Sequence, residues 1–564
     1  MKKIYSQLFI VLAFLGAGCV ENFLDTKDLY RKSDESYYKT PADIEEALAG
    51  AYAAVPLDAG NNNPFIVAEL MSDDCFGGGG SNDDGFHSTD AYTLVSQNYY
   101  NELFGRNWEG ILRTNLIIKR FDNAEYTDIE AKNQALGEAH FLRAYLYFRV
   151  SEFFGPVPLK LETAPVNLPR ATPEEMYGQI ALDLKTAIEL MPSTRYQSIP
   201  VERLGHASKW AAEGLMARVF LFYTGVYEKT ELPLAGGGVI TKDQVIAWID
   251  DCVQNSGHDL LPDFRNNWAY SSVQRYTYKA KNNLEWAGET GDNYETVWAI
   301  KYGPYGGWDP PSGQELSYTN QHSLYVGLRQ QFYIPFGQGW GGGPVNPQLW
   351  DSFEAGDVRR EGSILNVNIM GNPDENNIAE RFIWGSDNQM HETGFWQKKY
   401  MPIYDSVQNP ASKVWSLRSI YCKDIPSLTD MQLWNLQDDV LLRFSDILLM
   451  GAELGGANAQ SYFDRVRTRV GLASKTATLE NIKLERRHEL AFEGLRHFDL
   501  MRWHDIAAAH AIVVNIAVKN VGLDAIYNDT YRPETGGFLP IPQTEITLSE
   551  GVLTQTPGWE QYVD

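Results

Sequence analysis

Cysteine is nearly absent from this chain. There are four in 564 residues, no two spaced as C-x-x-C, which excludes a disulfide-built scaffold and a thiolate zinc cluster. Cationic side chains are also scarce, 48 Lys and Arg against 73 Asp and Glu, for a formal net charge of −25. Affinity for a phosphate backbone comes mainly from Lys and Arg displacing counterions, so no nucleic acid partner is expected. Anionic head groups and polyanionic ligands are disfavoured on the same ground, which leaves neutral or cationic ones. Past the N-terminal segment no apolar run approaches the roughly 20 residues that span a bilayer as a helix. A Gly-x-Ser-x-Gly elbow and a phosphate loop ending in Gly-Lys-Ser/Thr are missing, and His488-Glu489 lacks the second histidine of a zinc-protease helix. No catalytic residue, metal site or cofactor is assigned. What is present, 44% hydrophobic residues over a length beyond one packed core, excludes wholesale disorder and calls for more than one packing unit.

Residues 1–18 read as an export signal: Lys2 and Lys3 form a basic start, Leu8 to Leu15 an apolar run, and Gly16-Ala17-Gly18 a small-residue site. Cys19 follows directly, as in a bacterial lipoprotein box whose thiol takes a diacylglyceryl group. Gly16 stands where a larger residue is usual, and an ordinary cleaved signal is the competing reading. Lipidation of Cys19 would leave Cys75, Cys252 and Cys422, enough for one internal disulfide.

From about Asn22 to Ala235 the pattern is helical. After Thr40-Pro41, residues Ile44, Ala47, Leu48, Ala51, Tyr52 and Val55 form a single apolar stripe. Trp108 to Lys119 repeats that spacing. Ala135 to Phe153 predicts a third helix stopped by Gly155-Pro156, and Thr172-Pro173-Glu174-Glu175 is a capping box opening a fourth. Ala207 to Tyr223 makes a fifth. Consecutive helices of this length suggest degenerate tetratricopeptide-type pairs. From Leu260 to about Asp430 the periodicity disappears while Gly, Pro, Asn and aromatics rise; Trp268, Trp286, Trp298, Trp308, Trp340 and Trp350 all fall between 260 and 350. Long irregular segments of this kind are usually functional surfaces. Helices return at Val440 to Leu454, Tyr462 to Val470 and Ile482 to Trp503, and Phe538 to Pro542 is extended.

Gly337 to Gly342 fits the letter of a dinucleotide fingerprint, but Pro344 and Pro347 deny it the helix N-terminus that holds a pyrophosphate; it reads as a turn-rich loop. The acidic glycine-rich loop 72–90 carries Asp73, Asp74, Asp83 and Asp84 without the spacing of a calcium loop, and reads as a solvated loop with calcium as the alternative. From Glu485 to Trp503 acids and bases interleave, Glu493 reaching Arg496 and His497 at i+3 and i+4. This reads as a charge ladder holding one long helix against its neighbours.

Several ordered blocks together resemble the SusD/RagB nutrient-binding lipoproteins of Gram-negative outer membranes: Cys19 with Phe23-Leu24-Asp25, Gly137 to Tyr145 with Phe154 to Leu159, Leu442 to Met450, Glu485 to Trp503, and Pro540 to Gln543 with Gln555 to Trp559. The resemblance spans nearly the whole chain. It implies a mainly α fold, a tetratricopeptide-like helix-pair scaffold with a large irregular, loop-rich ligand-binding subdomain. On this division residues 19–259 are scaffold, 260–430 the glycan-binding subdomain, and 431–564 helices returning to the scaffold. The resemblance further implies a non-catalytic protein, lipid-anchored at the outer-membrane surface, that captures a neutral polysaccharide or oligosaccharide and passes it to a SusC-like TonB-dependent transporter. A sugar ring stacks its CH face on Trp or Tyr while its hydroxyls need amides and carboxylates. By loop context the candidates are Trp286, Trp308, Tyr305 and Trp268; for each the competing reading is an aromatic closing the subdomain core. Trp298, in Thr296 to Ile300, reads as a core strand, and Trp340 as packing for the glycine loop. Peptide capture within the same family, and a glycoside hydrolase, are the alternatives.

Overall fold

The computed structural model describes residues 37–56, 62–303, 320–408, 413, 415–422 and 435–560. Cys19, Tyr305 and Trp308 lie outside them. The chain is mainly α. Helix α1 (Pro41–Tyr52) opens on a capping box in which Thr40 and Asp43 satisfy each other's backbone N–H, and buries Ile44, Leu48 and Ala51 along the stripe read from the sequence. Next come α2 (Pro64–Leu70), α3 (Asn101–Arg120), α4 (Ile129–Phe154), α5 (Pro173–Leu190), α6 (Lys209–Val226) and α7 (Lys242–Asn255). Thr172 and Glu175 form the capping box of α5. Helices α3 to α7 pack each on the next, and α1 lies against α3 and α4. The scaffold closes with α8 (Phe444–Leu454) on α7, α9 (Ala459–Arg469) on α8, α10 (Leu479–Leu490) on α8, and α11 (Arg496–Arg502) on α6 and α2.

Two main hydrophobic clusters result, and both cross the residue 259/260 division. The larger holds the scaffold helices but also Val297, Trp298 and Ile300. The second joins Phe264, Trp268, Tyr270, Tyr276, Phe336, Trp396 and Tyr400 to Ile66, Leu70 and Phe86 from the N-terminal region. Between 260 and 430 the described residues form short helices and two-stranded sheets. Strand Thr296–Ile300 pairs antiparallel with Asp439–Arg443, so residues read as the start of a helix at Val440 belong to a strand, and α8 begins at Phe444. Trp298 is buried there, its indole N–H donating to the Gly205 carbonyl at 3.1 Å.

The run from Glu485 to Trp503 is two helices rather than one. Phe492 (φ 67°) and Gly494 (φ 70°) break it, because Phe492 packs into a small separate cluster with Cys75, Val345, Leu349 and Phe353 while Leu490 and Phe498 enter the main core. Asp499 and Arg502 pair along one helix at i+3, but most of its charges bond across the fold. Glu493 accepts from Lys399 Nζ at 2.7 Å and Arg443 Nε at 2.8 Å. Glu489 accepts from Arg443, Arg469 and Arg359, and Glu485 from Arg359 at 2.6 Å and Arg467 at 2.7 Å.

The expected solvated acidic loop is also overturned for its first half: Ser72 to Gly80 is buried. Asp73 pairs with Arg496 at 2.7 Å and Asp74 with Arg487 at 2.5 Å, as a buried carboxyl requires a partner for its oxygens. The glycines that follow let backbone lie on backbone. Gly79 N–H donates to Gly341 at 2.7 Å, and a Cβ on Gly78 would sit 2.3 Å from Pro344 Cδ. Cys75, Cys252 and Cys422 are all buried, and Cys75 and Cys252 are free thiols, so no two of the three form a disulfide.

Candidate ligand-binding cleft

A cleft opens where the loop between α5 and α6 meets the irregular region. Strand Thr296–Ile300 and the backbone around Gly205 form one side, and the segment from Leu436 to Val440 another. Local chemistry fixes its floor. Asp263 accepts from Arg265 N–H and starts the turn Phe264–Asn267. Glu295, fully buried, accepts from Leu261 N–H at 2.8 Å and Asn267 Nδ2 at 3.1 Å, and its other oxygen accepts from Arg443 Nη1 at 2.5 Å. The floor is therefore tied directly to the ion network between scaffold and irregular region.

Of the four aromatics expected to face a ligand, the described residues bring two to this cleft, in different roles. Trp286 is half-buried and meets Tyr421 edge-on, with ring centroids 5.5 Å apart. Trp268 is 1% exposed. It packs on Phe264 and Tyr400, with Lys399 Nζ 4.8 Å and the Arg443 guanidinium 5.7 Å from its ring, an arrangement worth most when desolvated. Trp268 is thus a core residue whose edge borders the cleft, and it has no open face on which a sugar could stack. Trp340, as expected, packs against the second cluster near the glycine loop.

Three buried polar atoms on the cleft residues have no hydrogen-bond partner among the described residues: Trp268 Nε1–H, Asn267 Oδ1 and His258 Nε2. His258 Nδ1 lies 2.9 Å from the Tyr294 carbonyl, which can only accept, so the proton is on Nδ1 and Nε2 is an acceptor. Burial pulls His258 down to about 4, keeping it neutral at pH 7. Tyr196 stacks obliquely on it at 5.0 Å. At the rim Lys301 pairs with Asp438. Burial, then the Asp438 charge, pushes the Tyr421 hydroxyl well above its usual range, so it stays a neutral phenol donating to Gln437 at 3.2 Å. Unmatched donors and acceptors beside aromatic faces are the complement of a hydroxyl-rich ring, since unpaired buried groups are costly until a ligand meets them. Among the described residues no group of three His, Cys, Asp or Glu side chains could hold a metal ion.

Sequence reasoning missed Tyr196, His258 and Tyr421. The first two sit in connections after helices, where periodicity gives no signal. Tyr421 lies in Ile420-Tyr421-Cys422, with no glycine to mark it as a loop aromatic.

Helix pairs carrying a loop-built, aromatic cleft define a ligand-binding scaffold. The chain belongs to the SusD family. A family model described as "Starch-binding associating with outer membrane" matches residues 22–221, and one described as "SusD family" matches 294–559. "SusD-like protein P2" of Formosa agariphila is 24% identical over 99% of this chain and 100% of its own. Among solved structures, a "Laminarin binding SusD-like protein" superposes with a TM-score of 0.71 at 24% identity, covering 92% of this chain and all of that one. "Surface glycan-binding protein A from Bacteroides thetaiotaomicron in complex with laminarihexaose" gives 0.68 at 20% identity, covering 92% and 99%. Among the described residues no helix is long and apolar enough to cross a membrane.

Proposed function

We propose that the protein captures a neutral glycan at the outer-membrane surface without cleaving it. Trp286 and Tyr421 stack the sugar, Trp268 Nε1–H, Asn267 Oδ1 and His258 Nε2 meet its hydroxyls, and the loaded protein serves a TonB-dependent transporter while held by a lipid on Cys19. The observation that carries this reading is the coincidence, in one cleft, of a partly open indole with three buried polar atoms that lack partners. The net charge of −25 favours neutral over anionic polysaccharides, and the ligands of two solved relatives, laminarin and laminarihexaose, make that glucan the first to test. Affinity electrophoresis through gels containing laminarin, other neutral polysaccharides or none is the test. Retardation in at least one neutral polysaccharide is expected, with no new reducing ends against a heat-killed control. Migration unaffected by every polysaccharide, with retention on immobilised peptides instead, would overturn the glycan reading in favour of peptide capture.

A further inference from the structure

A hollow of about 450 Å³ lies on the helical scaffold and shares no lining residue with the cleft. Helix α3 supplies its floor through Gly105 and Trp108, the connection between α4 and α5 forms one wall, and the short helix Gln543–Leu548 with Leu553 forms the other. The volume is that of a small-ligand pocket, about 300–1,000 Å³. Its lining is mostly apolar, and Leu112 and Leu548 remain 45% and 71% exposed at its edge.

Two features of this hollow are not required by the fold. The first is Gly105, one turn before Trp108 on the same face of α3. Glycine weakens a helix interior relative to alanine, and packing explains the other glycine of this helix: a Cβ on Gly110 would sit 2.5 Å from Leu146 Cδ1. A Cβ on Gly105 would meet nothing within 4 Å, so its missing side chain relieves no contact and only leaves space beside Trp108. The second is Lys160. Its N–H donates to the Tyr147 hydroxyl at 2.9 Å, and its carbonyl accepts from that hydroxyl at 2.6 Å and from Asn115 Nδ2 at 2.9 Å, so the backbone is clamped from α3 and α4. Its ammonium stands 5.7 Å from the centroid of the Trp108 ring and pairs with no carboxylate among the described residues, in a chain with 73 acids against 48 bases. Nearby Glu162 is taken by Lys119 at 2.9 Å. Trp108 is half-buried, its ring steadied by Phe104 at 5.7 Å and Tyr147 at 6.1 Å.

We infer that this hollow is a separate binding site for a small ligand built of a six-membered ring bearing one carboxylate: the ring lies on Trp108 in the space left by Gly105, and the carboxylate pairs with Lys160 Nζ. A charge-assisted bond gives the ammonium the partner it lacks, and a ring laid on an indole removes apolar area from water. One negative charge is the limit. Glu545 lines the same hollow, on the helix that Thr544 ties to Asn101 at 3.1 Å, which places that helix by the start of α3, roughly 10 Å along the axis from Trp108 at about 1.5 Å per residue. Together with the net charge of −25 it turns polyanions away. An acidic monosaccharide and an aromatic acid both carry the required chemistry. The inference does not depend on the glycan reading of the cleft.

The experiment is calorimetric titration of the full chain with glucuronate and with benzoate, each beside an uncharged counterpart, glucose and benzyl alcohol, for wild type, Lys160→Met, Lys160→Arg and Gly105→Leu, with a melting curve for each. Gly105→Leu fills the hollow from a position the fold leaves open, so its melting temperature should be equal or higher. At least one of the two carboxylates is expected to bind, and which one identifies the source; its uncharged counterpart should bind about tenfold more weakly or not at all. Lys160→Met and Gly105→Leu should each weaken that carboxylate about tenfold or more, while Lys160→Arg stays within about threefold of wild type. In the wild type the carboxylate should slow hydrogen exchange across 158–168, a readout independent of any variant's folding. Retardation by polysaccharide should be the same in all three variants as in wild type, which separates this site from the cleft. If neither carboxylate binds, if the uncharged counterpart binds as well, or if Lys160→Met and Gly105→Leu hold the carboxylate as wild type does and 158–168 stays unprotected, the inference is overturned and the cleft reading stands.

Discussion

Trp268 and Trp286 border one cleft under opposite demands. Trp286 keeps one part of its indole open beside Tyr421, so its loss should be felt by the ligand: Trp286→Ala is expected to cost about 2 kcal/mol of glycan binding, at least tenfold in affinity, with the melting temperature little changed. Trp268 is 1% exposed between aromatic rings and two cations, and its loss should be felt by the fold: Trp268→Ala is expected to destabilise by about 3–5 kcal/mol. Titration beside a melting curve checks both, and equal stability loss in the two variants would mean that Trp286 is core as well. The sequence separated these tryptophans only in part. Trp298 was legible because Thr296-Val297 and Ala299-Ile300 are strand-like on either side. Trp268 was misleading because Asn266-Asn267 reads as a polar loop, whereas Asn267 is itself buried, donating to Glu295; a polar residue used inside looks in a sequence like one used outside.

At the level of elements, capping chemistry and apolar stripes placed α1 and α3 to α6 well, because each of those helices is set by local signals. The junction between scaffold and irregular region was illegible for a complementary reason: its contacts link residues distant in sequence, Arg443 lying 50 positions from Glu493 and 148 from Glu295. Nor does the left-handed Phe492 announce itself, since only Gly494 among the two breaking residues favours that conformation. This junction carries a prediction. Arg443, buried, donates to Glu295, Glu489 and Glu493 at 2.5–2.9 Å, and removing one member of a buried ion cluster leaves the others uncompensated. Arg443→Met should destabilise by about 3–5 kcal/mol and loosen the cleft floor through Glu295 and Asn267. Denaturant melts measure this; a loss under about 1 kcal/mol would mean that Arg469, Arg359 and Lys399 suffice for the three carboxylates.

Two properties belong to the whole molecule. The first is its address. The lipid proposed on Cys19 would supply about 0.8 kcal/mol per buried methylene, so Cys19→Ala should yield a folded protein that no longer sediments with membranes, and full membrane retention would sink the lipoprotein reading. The second is the pH range in which the molecule is stable. Burial pushes Glu69, Asp90, Glu152 and Glu213 up to about 8 and Glu392 up to about 7. Folded, these carboxyls keep protons that the unfolded chain loses near 4, so they make stability fall as pH rises toward 8. Burial also lowers His258 and His391 to about 4 and His497 to about 3. The unfolded chain protonates its histidines below about 6.5 while these three stay neutral, so stability falls as pH drops from there. Between about pH 4.5 and 6.5 the two groups oppose each other; above 6.5 only the carboxyls act. Below about 4 a third set enters: burial alone would raise Asp446, but Arg486 and Arg218 hold it down to about 2, and the stability its charge provides is lost as pH falls toward that value. The melting temperature should therefore fall gently from about pH 4.5 to 6.5, where five carboxyls outweigh three histidines, fall more steeply from pH 6.5 to 8, fall also as pH drops below about 4, and decline less steeply between pH 6.5 and 8 in Glu152→Gln, which keeps the shape of the carboxyl and cannot ionise. Thermal melts in a buffer series at constant ionic strength measure this, and a melting temperature that rises from pH 6.5 to 8 would mean that these carboxyls are already ionised in the folded protein.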